Sequence, residues 1–181
     1  MSIRTPFSAI VALCLLPVMS MANSKPVRPD LASSSLTTVG RSQDSTVIPI
    51  KEVGLQFELP KGWKSEVDEN KNVVVSVEDG AVSLTFVIDE DFRTVAKGMK
   101  AGLKEKLTEM KSDGEPKQDT HNGMEHISEA GTGAMKETPI LWSIDVLKGT
   151  KYVTILTFGI QKVMEAHGDE YLKLISSIKK I

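Results

Sequence analysis

Cysteine is almost missing from this 181-residue chain, and histidine and aromatic side chains are scarce. The single thiol, Cys14, falls in the apolar run FSAIVALCLLPVM near the N-terminus. The residues after that run can therefore form no disulfide, no cysteine zinc site and no thiolate nucleophile. Stability has to come from a packed core. Serine hydrolase chemistry is equally poorly supplied, since there is no Gly-x-Ser-x-Gly elbow and no serine with a recognisable base beside it. An excess of one charge is missing too. The 22 Lys and Arg against 24 Asp and Glu give a formal net charge of −2, which excludes a phosphate-backbone binder, so no nucleic acid partner is expected. After Ala22 no apolar run approaches the ~20 residues that a membrane-spanning helix needs.

What is present divides the chain into three parts. Residues 1–22 place Arg4 ahead of the apolar run and small residues at Ser20 and Ala22 behind it, the pattern of a secretory signal peptide cleaved after Ala22. A lipid anchor on Cys14 is disfavoured because Leu13, not a small residue, precedes it. Residues 23–46, NSKPVRPDLASSSLTTVGRSQDST, are rich in Ser, Thr, Pro and charge with neither helical nor strand period, and read as a disordered tether. Removing Arg4 with the signal leaves 21 cations against 24 acids, near −3. Residues 47–181 have globular composition and the usual size of one domain.

Within that domain two periods alternate. Leu55, Phe57 and Leu59 point one way from a strand, with Gln56 and Glu58 on its other side. VVVSV at residues 73–77 leads through Glu78-Asp79-Gly80 into Val82, Leu84, Phe86 and Ile88, a hairpin signal. Asn122-Gly123 marks a second turn, and PILWSIDVL and YVTILTFGI flank Lys148-Gly149-Thr150 as long antiparallel strands. The helical period appears in Phe92, Val95, Met99, Leu103, Leu107 and Met110, with Lys and Glu opposite, and again in Tyr171, Leu174, Ile175 and Ile178. Small residues at Gly98 to Gly102 allow the first helix to lie close to a sheet. The second helix is expected to close the chain. The resulting class is α+β, an antiparallel β-sheet with helices covering its faces.

Candidate chemistry is thin. His121 and His126 bracket the Asn122-Gly123 turn with Asp119 nearby, a spacing from which a metal site or a small metal-dependent enzyme can be imagined. Two histidines flanking an exposed turn need no metal, however, and no His-Glu-x-x-His pattern supports them. His167 has no partner visible in the sequence. Asp68, Asn70, Asn72 and Asp79 imitate a calcium loop, but Val73 stands where that loop requires glycine, so a polar turn ahead of a strand is expected. Gly131 and Gly133 suit a bend or bulge in the sheet, and Glu90-Asp91 a helix N-cap. No catalytic set and no cofactor is expected.

The stretch GLQFELPKGWK, the valine-rich hairpin after it and the terminal YLKLISSIKKI together resemble the PsbP-like superfamily, which includes the Ran-binding protein Mog and bacterial DcrB-type exported proteins. The resemblance covers residues 47–181 and implies an α/β/α sandwich around an antiparallel sheet. It makes Trp63 a plug at the edge of the core, with Pro60 and Gly62 shaping the strand exit. It supplies no shared catalytic residues and implies an accessory or interaction module, here exported to a periplasm, with a protein partner in the cell envelope. An exported effector or effector-neutralising protein is the rival reading that the sequence leaves open.

Overall fold

The computed structural model describes residues 45–181. The expected signal peptide, its cleavage point, Cys14 and nearly all of the expected tether lie outside the described residues. The first strand, β1 (Ser45–Ile50), starts two residues before the expected domain edge at Val47, because Thr46 and Ile48 already pair with Leu59 and Phe57 of β2 (Leu55–Pro60).

Valine-rich and aromatic alternation builds the rest of the β-structure. After β3 (Lys64–Val67), β4 (Val73–Val77) and β5 (Val82–Asp89) come three long strands, β8 (Met124–Met135), β9 (Thr138–Lys148) and β10 (Tyr152–Ile160). Two short strands, β6 (Thr108–Ser112) and β7 (Lys117–His121), pair with successive stretches of β8. The large sheet runs β3-β4-β5-β10-β9-β8-β6 with every pair antiparallel. A small sheet, β1-β2-β11, is completed by Lys179–Lys180 as β11.

Each face of the large sheet has its own cover. On one, α1 (Phe92–Lys106) buries Val95, Met99 and Leu103 against Val87, Ile140, Trp142 and Ile144. Asp91 caps this helix: its carboxylate accepts from the Thr94 amide and hydroxyl, contacts that hold it below the usual carboxylate range. On the other face the cover is composite, a layer in which the small sheet lies beside α3 (Gly168–Ser177) and the short α2 (Gln161–Ala166). Phe57 of β2 stacks on Phe86 of β5 with ring centroids 5.0 Å apart, joining the two sheets. Burying such side chains contributes about 1.5–3 kcal/mol each, and the ring pairing about 0.5–1.5 kcal/mol more.

Three readings of the sequence need correction, and one helix was missed. The first helical stripe stops at Lys106: Leu107 is extended, and Met110 reaches the same core from β6, so the spacing of three and four continues across a change of backbone. The last helix stops at Ser177, and a strand, not a helix, closes the described chain. Nothing in the sequence reading anticipated α2. The bulge assigned to Gly131 and Gly133 lies in β6, between Thr108 and Lys111; Gly133 stands opposite it on β8, while Gly131 pairs in register with Ser112. The calcium-like stretch is a turn, as expected, with Asp68 Oδ1 accepting from the amides of Asn70 and Asn72 at 2.8 Å.

Candidate functional site

Two histidine–carboxylate clusters and one open groove lie on the side of the large sheet that carries the small sheet, α2 and α3. The first cluster begins at Trp63, which follows the Pro60 turn closed by its own amide on the Pro60 carbonyl. Its indole is 5% exposed, and Nε1 donates to Glu170 Oε2 at 3.0 Å. The same carboxylate oxygen meets His167 Nδ1 at 2.6 Å, and His167 Nε2 reaches Glu78 Oε1 at 3.0 Å. One imidazole thus ties the β4–β5 turn to α3, with the Trp63 ring edge-on at 6.2 Å.

The second cluster contains part of the trio expected from the sequence. His126 Nδ1 pairs with Asp119 Oδ1 at 2.7 Å across the β7–β8 hairpin, and Nε2 pairs with Asp145 Oδ1 at 3.0 Å on β9. Ser143 donates to the other Asp145 oxygen at 2.8 Å. His121 only sets its ring near that of His126, at 5.8 Å, and its Nε2 lies 3.4 Å from Asn122 Nδ2. Among the described residues no three His, Cys, Asp or Glu side chains are grouped to hold a metal ion.

Histidines bonded at both ring nitrogens to carboxylates favour the doubly protonated ring. Such a ring has no lone pair with which to bind a metal or take up a proton. The groove, of about 520 Å³, opens between the hairpin of β1 and β2 and the flank of α3, lined among others by Ser45, Glu58, Lys61, Glu170, Lys173 and Ser177. Its Glu170 belongs to the first cluster as well, so the groove wall is anchored to the core through Trp63.

No family model and no curated protein matches the chain. Among solved structures, the cyanobacterial PsbP protein CyanoP of Synechocystis sp. PCC 6803 superposes with a TM-score of 0.58 at 12% identity, covering 82% of this chain and 98% of its own. The fold is PsbP-like. LpqN of Mycobacterium tuberculosis, described as involved in cell envelope biogenesis, gives a TM-score of 0.49 at 14% identity over 75% of this chain and 89% of its own. The DcrB-type branch remains a likeness of motifs.

In this PsbP-like frame Trp63 has the position expected of it, while Asp145, Glu78 and the role of Glu170 were missed by sequence reasoning. Asp145 carried a usable signal. It interrupts the apolar alternation of PILWSIDVL on the side that also holds Leu147, and a half-buried carboxylate there requires a partner. Glu78 carried none, since it is 89 residues from His167.

The clusters make stability depend on pH in a definite direction. His126 is raised above the usual 6.5, chiefly by its hydrogen bond to Asp145, and His167 chiefly by Glu170 and then Glu78. Raised histidines favour the folded state fully below pH 6.5, and that contribution is lost as pH climbs through the raised values. Glu170 is lowered from 4.5, first by Trp63 and then by His167, so its contribution holds above 4.5 and is lost as pH falls. Melting temperature should therefore peak between about pH 4.5 and 6.5 and decline on the alkaline side. Substituting both histidines by glutamine should flatten that alkaline decline, and an unchanged slope would contradict the charged-pair reading.

Proposed function

We propose that the protein is an exported, non-enzymatic accessory module that binds a protein partner in the cell envelope through the groove between its β1–β2 hairpin and α3. The observation that carries this reading is the state of the two clustered histidines. His126 and His167 each spend both ring nitrogens on carboxylates, which makes them structural ties, while the adjoining groove presents lysines, acids and serines to the outside. Such a surface suits recognition of a charged partner. The same occupancy speaks against a metal-dependent enzyme built on His121, His126 and Asp119. Among the described residues no helix is long and apolar enough to cross a membrane.

Export rests on the Arg4-to-Ala22 pattern, and the mature protein is expected to begin at Asn23. Mass spectrometry of protein recovered from the periplasm reads this directly, and a retained N-terminus or a lipid on Cys14 would contradict it. For recognition, affinity capture from the envelope fraction with the native chain and a Lys61→Glu, Lys173→Glu variant is the decisive comparison. One dominant protein retained by the native chain and lost by the variant is expected. Equal retention by both moves the binding surface elsewhere.

A further inference from the structure

The turn between β7 and β8 is closed by Asn122 and Gly123, with φ of +47° and +76°, the paired left-handed geometry of a tight hairpin. Its side chain does something the turn does not require. Asn122 Nδ2 donates one hydrogen to the Ser176 carbonyl and the other to the Ile178 carbonyl, both at 2.8 Å. These acceptors lie at the C-terminal end of α3, where the helix has run out of amides of its own. One side-chain amide therefore latches a hairpin to a helix end 54 and 56 residues away. Directly beyond the latch, β11 pairs with Gln56 and Leu55 of β2, and the Ile181 amide donates to the Gly54 carbonyl.

Asparagine followed by glycine is also the pair most open to an intramolecular reaction, because glycine leaves its own amide nitrogen unhindered. We propose that Asn122 is a deamidation site guarded by this latch, and that its conversion releases the end of α3 irreversibly. The Gly123 amide nitrogen attacks Asn122 Cγ and gives up its proton to solvent. The new N–Cγ bond closes a succinimide ring, and Nδ2 departs as ammonia. Water then opens the ring at either carbonyl, leaving aspartate or isoaspartate. The sum is amide plus water giving carboxylate plus ammonium, with no redox partner.

Folding guards the site because the leaving nitrogen is the atom held by α3. Cyclisation must turn the side chain and so break both latch bonds first, and the reaction follows the local opening of that helix end. The product cannot re-form the latch. A carboxylate has no hydrogen to donate, and it confronts two carbonyl oxygens at the negative end of a helix. The segment from Ser177 to Ile181 then loses the latch and keeps its pairing with β2 and the buried Ile178 side chain.

The test uses the full chain. Peptide mass mapping after incubation in mildly alkaline buffer should show Asn122 converting at least about tenfold more slowly in the folded protein than in urea. Amide hydrogen exchange should show residues 177–181 losing about tenfold in protection in Asn122→Asp, with a smaller loss in Asn122→Gly, which keeps the positive-φ turn but not the donor. Equal conversion rates in folded and unfolded chain would overturn the guard. Unchanged protection of residues 177–181 in either variant would overturn the latch.

Discussion

Replacing Trp63 by alanine is expected to lower stability by about 3–5 kcal/mol, a large share of what holds a domain of this size together. The indole is 5% exposed and packs in the cluster that contains Phe57, Phe86, Leu174 and Ile178, so its loss opens a cavity between the two sheets and α3. Glu170 loses its indole donor at the same time, and with it the largest influence keeping its carboxyl low. Urea unfolding reads the loss directly, with Trp142 as the remaining fluorophore. Trp63→Phe separates the two effects. It keeps much of the burial and removes the hydrogen bond, so a smaller loss of about 1 kcal/mol is expected, with acid unfolding moved to higher pH. An unchanged midpoint in the alanine variant would refute the packing role and make Trp63 a surface residue.

Gly131→Ala should cost about 3 kcal/mol or more, although it adds one methyl group. A Cβ at that position would lie 2.0 Å from the Lys111 carbonyl oxygen and 2.7 Å from Cζ2 of Trp142. Neither neighbour can yield cheaply. Lys111 belongs to the backbone of β6, and the Trp142 ring is held over β8 by its Nε1 hydrogen bond to the Thr132 carbonyl at 3.1 Å. Either β6 leaves the sheet edge or the indole leaves the core beneath α1. Gly168→Ala is the control, since a Cβ there meets nothing within 4 Å, and its effect should stay within about 0.5 kcal/mol. Near-ultraviolet circular dichroism of Gly131→Ala should show the altered Trp142 environment. Equal stability of the two alanine variants would mean that the β6–β8 contact is not tight.

Most of the sheet was legible from the sequence because strand alternation and turn chemistry are local. Leu55, Phe57 and Leu59, the valines from Val73 to Val77 and the Asn122-Gly123 turn each declare themselves within a few residues. Boundaries failed where a long-range surface kept the pattern after the backbone had changed. Met110 lies on the same apolar floor as Leu103 although one is in a strand and the other in a helix, so the spacing alone could not separate them. The candidate clusters were half visible. Asp119 and His126 face each other across a hairpin, and the turn residues between them make that pairing readable. Asp145 arrives from β9 and Glu78 from the β4–β5 turn, and neither approach is written in any short window. The composite second layer was hidden for the same reason, since β11 has two residues and exists only because β2 offers it an edge.

That small sheet also sets the order of events when the chain folds. β2 is bonded on one side to residues 45–50 and on the other to residues 179–180, so the earliest and latest described elements meet on one strand. The layer that seals Phe57 and Trp63 cannot close until residue 180 is available. A chain emerging N-terminus first therefore keeps that core open to water until residues 179–180 have followed. Pairings across such long sequence separations are slow to form, and they leave apolar strands exposed while they wait. A long unfolded lifetime is a hazard in a crowded compartment, because the unpaired edge of β2 and the apolar strands beside it can meet other chains before residues 179–180 cover them.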